Sequence, residues 1–87
     1  MTVANQRPHN RVKHQANIQV VANAESYTLE MRDFSDSGLY LFCENTSIVD
    51  IQEQVKVQTL EFDGALVLDA EVVRLEENIG FAVEFIQ

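Results

Sequence analysis

The sequence predicts an all-β protein: a small six-stranded antiparallel barrel of Greek-key type, preceded by a flexible basic N-terminal arm. Three observations lead there. Apolar residues recur with a period of two along most of the chain, helical periodicity is almost absent, and turn-forming residues interrupt the alternation at short intervals. Six strands in 87 residues leave one economical arrangement, a closed antiparallel barrel or a tightly curled sandwich. The length suits one domain, whose thin core must draw on nearly all of the 46% apolar residues.

Each strand has its own signature. Ala16, Ile18, Val20 and Ala22 alternate with more polar neighbours and define the first. Tyr27, Leu29 and Met31 define the second, and the stretch RDFSDSG that follows reads as a turn. Leu39, Leu41 and Cys43, with Tyr40 and Phe42 between them, form a third strand that is apolar on both faces. Residues 45–54 are the longest connection. It is either a single helical turn capped by Ser47, with Asp50 three residues on, or a plain loop. A fourth strand starts at Val55 and Val57 and runs to Phe62. Asp63-Gly64 then signals a two-residue type I′ hairpin, because both turn positions need positive φ. Residues 65–75 form the long fifth strand, Glu76-Glu77-Asn78 turns the chain, and Ile79, Phe81, Val83 and Phe85 complete the sixth. Phe42, Phe62, Phe81 and Phe85 are expected in the core. The boundary is set at 1–13 for the arm and 14–87 for the barrel, since the first dozen residues are polar and contain Pro8.

Charge is unevenly distributed. No acidic residue precedes Glu25, whereas Arg7, Arg11 and Lys13 do, so residues 1–24 carry +3 and the remainder −11 of the net −8. An acidic body repels DNA and RNA and disfavours extended nucleic-acid binding. The basic arm is either a solvated tail resting on its own acidic domain or a clamp for a small anion. No apolar run is long enough for a membrane span, no apolar signal segment follows the first basic residues, and the lone Cys43 suits a reducing compartment. A soluble cytoplasmic protein without membrane insertion is expected. His9, His14 and Cys43 lack a metal-ligand spacing, and no nucleophile–base pair, carboxylate pair or phosphate loop is recognisable. Neither a metal, a cofactor nor an enzymatic activity is therefore expected.

Two short motifs remain. RPHNR places Arg7 and Arg11 four apart, and DFSDSG has Asp33, Ser35 and Gly38 in the pattern (D/N)xSxxG. Singly each is weak, because an Asx turn closed by a glycine at positive φ would explain the second. In this order, ahead of this strand pattern, they resemble the PilZ domain, whose signature is RxxxR in an N-terminal arm followed by (D/N)xSxxG between the second and third strands. NIGFAVEF, residues 78–85, is similar to the closing strand of that family, with Gly80 at a customary glycine position.

The resemblance implies a bacterial receptor for the second messenger cyclic di-GMP, acting on motility, pilus function, exopolysaccharide or biofilm through a downstream protein partner. It implies Arg7 and Arg11 on guanine edges and phosphates, matching the arginine fork to paired acceptors. It implies that Asp33 accepts from a guanine N–H edge or fixes an arginine. Ser35 then bonds a base or phosphate, and Gly38 turns the backbone and admits the ligand closely. Asp36 and Ser37 fall at variable positions, Arg32 is assigned to the strand, and His9, Lys13 and His14 add positive potential. Ligand capture is expected to order the arm against the barrel. Gln6 stands where many members carry arginine or an apolar group, which leaves one or two ligands per protomer open. The C-terminal helix of many members is not expected after the last strand. The alternatives are a PilZ-like adaptor that binds a protein and no nucleotide, and an oligonucleotide-binding barrel, which the acidic body and lack of Trp disfavour.

Overall fold

The computed structural model describes residues 12–86, with side chains from 15 onward. Six antiparallel strands close into one barrel: β1 (Val12–Ala22), β2 (Glu25–Ser35), β3 (Gly38–Phe42), β4 (Gln54–Thr59), β5 (Leu68–Glu76) and β6 (Gly80–Phe85), in the spatial order β1-β2-β3-β6-β5-β4. Two three-stranded meanders, β1-β2-β3 and β4-β5-β6, are joined along two seams, β3–β6 and β1–β4. Strand pairing starts at Val12 opposite Phe34, so the backbone of Val12 and Lys13 belongs to the ladder and not to the arm. Inward residues from every strand build the core, with Val20, Leu41, Val72 and Phe81 fully buried. Among the described residues, no helix is long and apolar enough to cross a membrane.

The alternation locates the strands, but several details differ. Arg32–Ser35 continue β2, and only Asp36 and Ser37 turn the chain, since Ser35 pairs with Gly38. The Asp63-Gly64 pair does not form a two-residue hairpin turn: β4 and β5 do pair antiparallel, but β4 ends at Thr59, β5 starts at Leu68, and of the two residues only Gly64 has positive φ. A primed turn does occur between β1 and β2, where Ala22 pairs with Glu25 and Asn23 and Ala24 take φ of 53° and 66°. The 45–54 connection contains one 3-10 turn, Thr46–Ile48, capped by Asn45, whose side chain accepts from the Ser47 amide; Ser47 is not the cap. Phe81 is in the core and Phe85 packs against it, but Phe42 and Phe62 are exposed, Phe62 to 63%. Phe42 lies on the outward face of β3, and Phe62 lies in the unpaired loop between β4 and β5.

Gly38 is needed for space, not for positive φ. A Cβ built there would lie 1.9 Å from the Val83 carbonyl oxygen, across the β3–β6 seam. Backbone cannot yield as a side-chain tip can, so Gly38→Ala should cost about 3 kcal/mol or more, read as a lower midpoint in urea unfolding. Ala24 holds a left-handed conformation without glycine's freedom. Ala24→Gly should accordingly raise stability by about 1 kcal/mol in the same titration.

Candidate ligand-binding site

The site begins with a register defect. Met31 pairs with Leu41 and Asp33 with Tyr40, so β2 spends two residues where β3 spends one. Strict alternation from the buried Met31 would send Asp33 into the core, where a carboxylate is prohibitively costly. The bulge at Arg32 resets the phase. Phe34 then packs on the core, while Asp33 and Ser35 share the outer face with Tyr40. Similar one-residue shifts occur in β1 between Lys13 and Ala16 and in β5 between Val72 and Arg74. One row of register partners thus crosses five strands: Lys13, Asp33, Tyr40, Ala82 and Arg74.

Charged and aromatic groups along this row form a continuous chain. Arg32 donates from Nε to Asp33 Oδ2 at 2.7 Å, and its guanidinium carbon lies 3.9 Å from the centroid of the Tyr40 ring. Tyr40, buried although on the outer face, donates its hydroxyl to Glu76, which also accepts from Arg74 at 3.0 Å. Gly80 provides the space for this: a Cβ there would approach the Tyr40 hydroxyl to 2.9 Å and the Leu41 carbonyl oxygen to 2.3 Å. Burial, then the hydrogen bond to Glu76, pushes the Tyr40 phenol up to about 12. The same hydrogen bond, followed by that from Arg74, holds the Glu76 carboxyl below its usual range.

The turn is tied in at both sides. Ser35 Oγ lies 3.2 Å from Ser37 Oγ and accepts from the Ser37 amide, and the Ser37 carbonyl accepts from Phe85 at 2.8 Å. Of the residues expected in the site, Asp33, Ser35 and Gly38 lie together at the β2–β3 end of the outer face, all buried. Gly38 acts by admitting β6, as above. Arg7, His9 and Arg11 lie outside the described residues, as do the side chains of Lys13 and His14. Arg32 and Tyr40 belong to no motif that the sequence displays. The adjacent charges Arg32-Asp33 after an inward Met31 were the available signal, because alternation cannot bury one of them. Ser37, at a variable position of the motif, is a hydrogen-bond partner of Ser35. Burial pushes the Cys43 thiol up, and its Sγ donates to the Asn45 carbonyl in the core-facing loop, away from this face.

Two concavities lie elsewhere on the barrel, one of about 590 Å³ beside Tyr27, Cys43 and Ile48 and one of about 380 Å³ beside Ile18, Phe62 and Phe85. A family model described as the PilZ domain matches residues 5–87. The chain belongs to the PilZ domain family. Solved structures share the PilZ fold at low identity. The inhibitor of motility (MotI/DgrA) of Bacillus subtilis is 15% identical at a TM-score of 0.76, over 95% of this chain and 44% of that one. The PilZ domain of CeSA from a cellulose-synthesizing bacterium is 18% identical at 0.71, over 90% and 82%. An uncharacterized Legionella protein is 22% identical at 0.58, over 90% and 77%. This chain therefore spans under half of the Bacillus protein. No curated protein is significantly similar in sequence.

The Tyr40–Glu76 bond makes a pH prediction. The native PilZ barrel keeps the phenol protonated beyond the ordinary value of 10.0, up to about 12. Its stabilising contribution is thus full below pH 10 and is lost as pH rises through the native value. Tyrosinate absorbance should show one step near 12 in the native protein, and Tyr40→Phe should abolish it.

Proposed function

We propose that this PilZ domain is a receptor for cyclic di-GMP, held between the outer face at Asp33 and Ser35 and the arginines Arg7 and Arg11. One observation carries the reading. β1 enters the ladder at Val12 opposite Phe34, within the DxSxxG segment. Arg11 directly precedes Val12 in the chain, and Arg7 lies within about 18 Å of chain contour from it. Both halves of the RxxxR and DxSxxG pair are thus tethered to one end of the barrel.

The chemistry suits the ligand. Two arginine forks match guanine O6 and N7 or phosphate oxygens, and Ser35 presents a hydroxyl beside them. Each bidentate arginine–guanine pair supplies roughly 1–3 kcal/mol of discrimination, while ordering each backbone residue costs roughly 1–2 kcal/mol. The two arginines therefore scarcely offset the fixing of the segment that carries them. The prebuilt face must contribute the rest. Capture then brings the basic segment onto the acidic barrel and alters the surface offered to a protein partner. A motility or exopolysaccharide output is in keeping with the structural neighbours, an inhibitor of motility and the PilZ domain of CeSA from a cellulose-synthesizing bacterium.

Titration calorimetry with cyclic di-GMP, GMP and cyclic di-AMP tests this. Cyclic di-GMP should bind best, and Arg7→Ala or Arg11→Ala should each lose at least tenfold in affinity with an unchanged melting temperature. A parent protein that ignores cyclic di-GMP, with a folded barrel, would point instead to an adaptor that recognises a protein directly.

A further inference from the structure

Arg32 occupies an unusual position. Its Nε is bound by Asp33, and one side of its guanidinium is in van der Waals contact with the Tyr40 ring at 3.9 Å. Tyr40 is itself immobilised, buried to 2% exposure and bonded through its hydroxyl to Glu76, which Arg74 holds from the other side. Among the described residues, the two terminal nitrogens of Arg32 make no hydrogen bond, and 42% of the side chain is exposed. The group is thus held along one edge and on one side while staying partly exposed. A lysine at this position would be a swivelling point charge; an arginine held this way is a preset plane.

We propose that the Arg32 guanidinium, backed by Tyr40 and locked by Asp33, is a base-stacking platform, a third arginine of the site contributed by the barrel. The proposal rests on the cyclic di-GMP reading and assigns one purine ring of that ligand to the side of Arg32 opposite Tyr40. Guanidinium planes accept bases face to face much as aromatic rings do, and such stacking adds affinity without reading the base edge. Edge recognition is then left to Arg7 and Arg11, and the terminal N–H groups of Arg32 stay available to a phosphate oxygen. The role of Asp33 follows: its carboxylate positions the platform. The bulge matters for the same reason, because it puts Arg32 and Asp33 opposite a single Tyr40.

The test is cyclic di-GMP titration of the full chain carrying Arg32→Ala, Arg32→Lys or Tyr40→Phe, each checked for an unchanged fold by thermal melting. Arg32→Ala should lose at least tenfold in affinity, and Arg32→Lys should lose nearly as much, because charge without a plane does not stack. Tyr40→Phe keeps the ring but frees it from Glu76, and should lose less than either. In the parent, the Arg32 side-chain Hε resonance should move upfield on ligand addition through the ring current of the stacked base. If the parent binds and Arg32→Lys binds equally well, or the Hε resonance does not move, the platform is wrong while the receptor reading stands. If the parent does not bind, both are wrong.

Discussion

Closure of the barrel depends on how near β3 can come to β6. The two meanders share only two seams, and at one of them Gly38 faces the Val83 carbonyl at a distance no Cβ would permit. Gly80 performs the equivalent service at the other end of the same seam, beneath Leu41 and Tyr40. Sheet closure removes exposed edges, which an 87-residue chain with a thin core can ill tolerate. The same approach fixes the outer face. Tyr40 packs beside Gly80, which leaves it room, and the turn before Gly38 is pinned by the Ser37–Phe85 hydrogen bond. Fold and site thus share one steric condition.

On that face, charge is organised by pairing and not by excess. Asp33 has Arg32, Glu76 has Arg74 and the Tyr40 hydroxyl, and the stack of Arg32 on Tyr40 links the two halves. Half-exposed ion pairs of this kind add little to stability. Their effect is to restrict geometry: each side chain has one orientation that satisfies its neighbour. A face that must meet a ligand in a fixed pose benefits more from that restriction than from net energy, since rotamers already fixed are not lost on binding.

The strands were legible because period-two alternation is a direct projection of burial: Ile18, Val20, Leu41, Val72, Phe81 and Val83 sit where the pattern put them. The turns were less so. Asn23 favours a left-handed conformation but Ala24 does not, so the pair does not announce a primed turn, whereas Asp63-Gly64 announces a two-residue hairpin that the surrounding loop overrides. Phe62 shows the limit of counting apolar residues: without a strand to orient it, an aromatic side chain need not turn inward. The motif residues Asp33, Ser35 and Gly38 are legible as a pattern, but the close approach of β6 that Gly38 permits is not, because a clash with a strand distant in sequence is invisible locally. Arg32 is a strand residue, as its sequence position implies, yet a bulge gives a strand residue a second face to occupy, and bulges are settled by partner register.

The charge asymmetry makes sense alongside this geometry. A barrel that bound phosphates through a basic surface of its own would also attract nucleic acid, whose affinity grows with each phosphate neutralised. Here the body from Glu25 onward carries −11, and a polyanion meets repulsion over most of its length. Under the proposed reading, the cations offered to the ligand are Arg7, Arg11 and Arg32, enough to neutralise a small diphosphate, while Lys56 and Arg74 are paired with Asp69 and Glu76. Repulsion from the body screens out large anions, the arginine forks read the base edges, and the Arg32–Tyr40 plane supplies contact area that does not depend on charge. Selectivity for a compact dinucleotide then follows from placing few cations close together on an otherwise acidic fold.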